Sequence, residues 1–229
     1  YGFTELLLTR ELKPEKQKDL LGRIYRQSEA MAGIINELLD LARIEARQGK
    51  DFSFKAVNLA DLVGDVIRDF KLPQDRQAPL TEWPDEPIMV WVDRQKMQQA
   101  TLNVLSNAYK YSPNGGDVHV RVVTQVLHGK PQVGVQIEDH GLGLSPEQLA
   151  RVGERFYRAD KSGSIPGTGL GVTIVKEIIE LMGGHVAMRS EQGKGSAFTL
   201  WLPCMEGSPS QFAQFDELAP SGLEEPVEH

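Results

Sequence analysis

Asp139-His140-Gly141-Leu142-Gly143 and, further along, Gly167-Thr168-Gly169-Leu170-Gly171 are the stretches whose reading decides the fold. A carboxylate enters the first glycine turn, and the second opens an apolar helical run. Glycine lets a backbone approach a flat ligand closely and turn with positive φ. An ionised carboxylate is acceptor-only, so Asp139 suits the exocyclic amine of adenine. The free N–H groups and positive dipole end of the helix after Gly171 suit a phosphate chain. Each stretch alone equally describes an ordinary turn. No glycine-lysine-Ser/Thr closes a G-xxxx pattern and no G-x-G-x-x-G occurs, so a nucleotide site here uses another geometry.

Upstream, Asp93 caps a predicted helix carrying Asn103, Asn107 and Lys110. At about 100° per residue these three side chains share one face, and Met97, Thr101, Val104, Leu105 and Ala108 share the opposite one. An asparagine oxygen on the first face is a hard neutral ligand suited to Mg²⁺, which keeps several waters and shares phosphate oxygens. Lys110 adds a point charge for a phosphate. Alone, the pattern also fits a solvated helix face. Between the glycine turns lies Glu154-Arg155-Phe156-Tyr157-Arg158 and then Lys161-Ser162-Gly163-Ser164, which reads as a lid. Arg158 and Lys161 are expected to bring positive charge to a γ-phosphate, and Phe156 to anchor the lid in the core.

The composition sets the surroundings. The chain has 229 residues, 40% hydrophobic and 25% charged, with one cysteine, Cys204, and a net charge of −7. That composition is globular, and a lone cysteine excludes an internal disulfide framework and fits a reducing, cytoplasmic setting. The acidic balance argues against nucleic acid as partner. There is no apolar run long enough to span a bilayer and no signal peptide.

Three regions follow. Residues 1–50 read as an antiparallel helical hairpin: Tyr1 to about Leu12, then a helix opened at Pro14. No capping residue precedes Tyr1, so the first helix is expected to begin partway along an element. The apolar seam Leu21, Ile24, Ser28, Met31, Ile35, Leu38 and Ala42 has the spacing of a supercoiled bundle. Two helices bury little by themselves, so the hairpin is expected to pair with a second copy as a four-helix bundle. Residues 51–203 alternate strands and helices. Asn58 caps one helix, Ile88 to Val92 is a strand, and hairpins are expected over 117–138 and 185–202. The class is α+β, with the second region an α/β sandwich: one mixed sheet under helices on one face. Residues 204–229, with six acidic residues and no Lys or Arg, read as a disordered acidic tail, with Phe212, Phe215 and Leu218 as an apolar stripe.

Taken together, Asn103-Val-Leu-Ser-Asn107-Ala-Tyr-Lys110-Tyr111, Asp139-His-Gly141-Leu-Gly143, Arg155-Phe156-Tyr-Arg158, Gly167-Thr-Gly169-Leu-Gly171 and Gly193-Lys-Gly195-Ser-Ala-Phe198 resemble the sensor histidine kinases of two-component systems. They are similar to that family's asparagine, glycine and phenylalanine boxes. The resemblance runs over residues 1–203. It implies a Bergerat-type ATP fold, with Asn107 on Mg²⁺ and Asn103 beside it. Lys110, Tyr111 and Arg158 are then nucleotide or phosphate contacts, Asp139 and Gly143 read adenine, Gly169 and Gly171 line the lid hinge, and Gly141, Gly167, Thr168 and Leu170 belong to the same nucleotide-binding set. It further implies a homodimer, transfer of the γ-phosphoryl from Mg-ATP to a histidine, and onward transfer to a receiver-domain aspartate of a response regulator.

One departure stands out. The family's acceptor lies in a His-(Glu/Asp)-Leu-Arg-x-Pro stretch just before a segment like Tyr1 to Leu8. The five histidines here are His119, His128, His140, His185 and His229, none in the hairpin. The expectation is that this chain binds Mg-ATP without labelling itself. Two rivals remain: another Bergerat-fold ATPase, and a non-catalytic dimeric module. The former commonly places glutamate where Asn103 stands, and Asn103 cannot act as a base.

Overall fold

The computed structural model describes residues 2–10, 12–160, 165 and 167–205. The acidic stretch from residue 206, its Phe212, Phe215 and Leu218 stripe, and Lys161 lie outside the described residues. The chain divides into two compact units, Tyr1–Ala46 and a second from Arg47 onward.

The first unit is helical. α1 covers Gly2–Thr9 and α2 Pro14–Arg47. α1 stops short of the expected Leu12, and the Thr9 hydroxyl bonds back to the Glu5 carbonyl at 2.7 Å. Such a bond offers the last turn a local alternative to further helix. Pro14 needs no hydrogen-bonded N–H at a helix start, so α2 begins there. Along α2 the seam residues Leu21, Met31, Ile35 and Leu38 are exposed. An exposed apolar row of this kind is the surface that an association would cover.

The second unit runs β1 (Phe54–Asn58), α3 (Leu59–Asp69), β2 (Leu80–Glu82), β3 (Met89–Asp93), α4 (Arg94–Lys110), β4 (Val118–Leu127), β5 (Lys130–Asp139), α5 (Pro146–Arg151), α6 (Gly171–Leu181), β6 (His185–Glu191) and β7 (Gly195–Pro203). Five strands form a mixed sheet in the order β2-β4-β5-β7-β6, with β2 parallel to β4 and the other pairs antiparallel. β3 does not join it. It pairs with β1, from Phe54 opposite Asp93 to Asn58 opposite Met89. The expected single sheet is therefore two sheets. Asp93 supplies the reason, since its carboxylate accepts from Ser53 N at 2.7 Å while capping α4 through Lys96 N at 3.0 Å. That one side chain ties the start of β1 to the end of β3.

The core lies between the five-stranded sheet and α4 and α6. Val133, Val135 and Ile137 of β5 and Leu200 and Leu202 of β7 meet Val104, Leu105, Ile174 and Ile178, all essentially inaccessible to water. Each such side chain contributes about 1.5–3 kcal/mol of transfer free energy. The alternation along β5 that buries Val133, Val135 and Ile137 also carries Asp139 to the core side of the strand's end.

Candidate functional site

α4 presents two faces. Met97, Thr101, Val104, Leu105 and Ala108 are buried, while Asn103, Asn107 and Lys110 are half-buried on the other side. The helix closes at Tyr111, whose N–H donates to Asn107 O at 2.9 Å. The Tyr111 carbonyl then accepts from Leu142 N at 2.9 Å, which brings the first glycine turn onto the end of α4. A side chain at Gly141 would collide with that carbonyl and with Asp139 Oδ1, so only glycine fits. Burial raises the Tyr111 phenol; Arg158 opposes the rise and Asp160 adds to it. Arg158 and Asp160 of the expected lid therefore lie within electrostatic reach of the same tyrosine.

Asp139 is 5% exposed, and its Oδ1 accepts from Gly141 N at 2.8 Å. Burial raises its pKa above the ordinary value. The amides of Gly141 and Ser196 and the nearby His140 partly offset this, and Glu138 adds to it. The turn is also held from behind. Gly193 N donates to Leu142 O at 2.8 Å, and Leu144 N to Ser190 Oγ at 2.8 Å, while Ser190 Oγ donates to Gly195 O at 2.9 Å. Gly143 lies against the Glu191 carbonyl. Ser190 escapes a reading of the sequence, because a serine near a strand end carries no signal of the amide it will meet 46 residues away.

The second turn approaches α4 from the other side. Gly167 sits so close to the Lys110 amine that a Cβ would strike it. Thr168 Oγ1 accepts from Leu170 N at 3.1 Å. Gly169 has φ +78°, and its carbonyl accepts from Phe156 N at 3.1 Å. Leu170 is fully buried, so only its backbone is available at the turn. α6 starts at Gly171 with no side-chain cap, which leaves its first N–H groups to a ligand or water.

Phe156 corrects an expectation. It is 57% exposed with φ +63°, so it points outward and does not anchor the segment in the core. Its backbone bond to Gly169 fixes this direction. The anchoring comes instead from Thr173 Oγ1 donating to Gly153 O at 3.2 Å, and from the Arg151 guanidinium stacked 4.3 Å from the Tyr157 ring. Arg158 donates to the Ile165 carbonyl and lies 3.8 Å from Asp160, with its Nε buried and unpartnered among the described residues.

Two depressions flank the arrangement. One of about 470 Å³ is lined by Arg155, Phe156, Arg158 and their neighbours; one of about 430 Å³ is lined by Asp139, Ser190, Ser196 and the Gly195 hairpin. Neither is lined by Asn103 or Asn107. The end of α4, met by the first glycine turn at Tyr111 and by the second at Lys110, therefore defines the candidate site better than either hollow does. Among the described residues no three His, Cys, Asp or Glu side chains stand close enough to hold a metal ion. On the half-buried face of α4 the Asn103 and Asn107 carboxamides offer hard neutral oxygens, the donor type that Mg²⁺ takes alongside phosphate oxygens.

Residues 92–206 match the family model of histidine kinase-, DNA gyrase B- and HSP90-like ATPases, and residues 1–47 match the His Kinase A (phospho-acceptor) domain. The mycobacterial sensor histidine kinase MprB is 31% identical, with a TM-score of 0.54 over 66% of this chain and 98% of that one. This chain belongs to the sensor histidine kinases. The sensor histidine kinase WalK of Bacillus subtilis (strain 168) is 31% identical over 200 residues, 83% of this chain. This chain spans about a third of WalK's length, 32%. Full-length ShkA in complex with AMPPNP superimposes with a TM-score of 0.66 at 25% identity, over 90% of this chain and 42% of that one. Among the described residues, no helix of this histidine kinase chain is long and apolar enough to cross a membrane.

Proposed function

We propose that this chain is the ATP-binding, phosphoryl-donating part of a two-component sensor histidine kinase, working as a homodimer on the cytoplasmic side. The end of α4 carries the reading: the Asp139 turn meets it at the Tyr111 carbonyl, the Gly167 turn meets it at the Lys110 amine, Arg158 acts on the Tyr111 phenol, and the same helix bears Asn103 and Asn107. Residues 51–203 form the catalytic unit and residues 1–50 the dimerisation hairpin, with the exposed seam of α2 facing a second copy. The presence of AMPPNP in the ShkA structure supports the choice of nucleotide.

In this reading Asp139 accepts from the adenine amine, and the Gly141–Gly143 turn lets the base lie against backbone. Asn107 holds Mg²⁺ with Asn103 beside it, and the metal when bound neutralises triphosphate charge. Lys110 and the N–H groups at the start of α6 hold phosphate oxygens. Arg158 reaches the γ-phosphate by exchanging the Ile165 carbonyl and Asp160 for it. The γ-phosphoryl passes to an imidazole nitrogen, ADP leaves, and the phosphoryl passes on to an aspartate of a response-regulator receiver domain. Catalysis is mostly positioning and charge stabilisation.

Calorimetry with a non-hydrolysable ATP analogue tests the reading. The wild type is expected to bind with magnesium and far more weakly without it, and Asn107→Ala to lose the difference while melting normally. No heat in either condition would favour a non-catalytic dimeric module. Incubation with γ-labelled ATP is expected to leave the 229-residue chain unlabelled, since no histidine lies within residues 1–47. Steady hydrolysis without a protein acceptor would favour another ATPase of the fold.

A further inference from the structure

The end of α4 is also held from outside the two glycine turns. Arg76 lies in the connection between α3 and β2. Its Nη1 donates to the Ser112 carbonyl at 2.7 Å and to the Tyr109 carbonyl at 3.4 Å, and its Nη2 to the Gly116 carbonyl at 3.0 Å. Its guanidinium also covers the Tyr109 ring, 4.9 Å from the centroid. Tyr109 is fixed in turn: its hydroxyl donates to Gln77 O at 2.9 Å and Phe70 stacks on its ring at 5.2 Å.

A helix leaves its last carbonyls without intrahelical partners, and a cation there is favoured by the dipole. Arginine suits the task because its planar fork offers several donors in fixed directions. The three carbonyls bracket the working residues. Tyr109 precedes Lys110 and Tyr111 and Ser112 follows them, while Gly116 packs against His140 beside Asp139. The Ser112 hydroxyl bonds back to Ala108 O, so the turn Arg76 grips is itself tied to α4.

We infer that Arg76 is a positioning residue for nucleotide binding: it clamps the end of the asparagine helix so that Lys110 meets the phosphates and the Tyr111 carbonyl holds the adenine turn. The inference rests on the Mg-ATP reading above.

The test is a double-mutant cycle on ATP-analogue affinity, combined with amide exchange. Arg76→Gln is expected to weaken binding about tenfold, the size of a coupled contact, and by no more than about twofold in a Lys110→Ala background. Amides of Tyr111 and Gly115, bonded to Asn107 O and Ser112 O, are expected to exchange faster in Arg76→Gln, with Val135 in β5 unchanged. Wild-type affinity in Arg76→Gln, an equal loss in both backgrounds, or faster exchange spread evenly over the domain would overturn the inference. A merely structural role would lower the melting temperature and leave the affinity of the folded protein alone. Should the wild type bind no nucleotide, the functional reading fails by itself, and the clamp is judged by exchange. If Arg76→Gln does not fold, Arg76→Lys, which keeps the charge without the fork, carries the same comparisons.

Discussion

Asp139→Asn separates ligand binding from folding at a single site. The carboxylate is nearly inaccessible and accepts from the backbone amides of Gly141 and Ser196. Asparagine keeps the shape but turns one oxygen into a donor. In the proposed complex an ionised acceptor on the adenine amine is lost. A hydrogen bond to a charged group contributes about 1.5–3 kcal/mol, which corresponds to about ten- to hundredfold in affinity. For stability two effects oppose. One backbone amide faces a donor, costing about 1–3 kcal/mol, while the penalty of burying a charge disappears. Burial holds the Asp139 pKa above its ordinary value, the direction such a penalty takes. The melting temperature should therefore change little while affinity collapses. Calorimetry and a thermal melt on the same preparation measure both. Affinity within twofold of wild type in a folded mutant would refute the assignment of Asp139 to adenine.

The same carboxyl sets a pH dependence. Its folded pKa lies above the ordinary value, so its contribution to folding is fully present below the unfolded pKa and is lost as pH rises through the folded one. Nucleotide affinity runs the other way: it falls as pH drops through the raised folded pKa, and a titration by calorimetry should show Asp139→Asn flat across that window. Gly141→Ala drives a methyl into the Tyr111 carbonyl, an overpacking cost of about 1–3 kcal/mol to be read in denaturant unfolding; unchanged stability would mean that α4 and the turn are not pressed together. Ile35→Asp places a charge on the exposed seam of α2 and is expected to shift the chain from dimer to monomer by light scattering with ATP binding retained; a dimer unaffected by the change would place the interface elsewhere.

Much of this was legible in the chain. The helical period that sorts Val104, Leu105 and Ala108 from Asn103, Asn107 and Lys110 is a local property, and so is the alternation that buries Val133, Val135 and Ile137. The caps at Asn58 and Asp93 act over two or three residues, and both formed as expected. β1 is absent from the sequence reading because what holds it, its pairing with β3 and the Asp93 carboxylate that meets Ser53 N 40 residues away, leaves no local signal.

By itself, then, the sequence determined which face of α4 and which alternate positions of β5 turn to the core, and that Asn58 and Asp93 cap the helices that follow them. Only the tertiary structure decided that the first glycine turn meets α4 at Tyr111 and the second at Lys110, that Phe156 points outward, and that Ser190 holds the first turn and Arg76 the end of α4 from behind. The physical reason is that these last contacts end on backbone carbonyls and amides. Every residue carries such groups, so side-chain type cannot announce which distant N–H or guanidinium will find them.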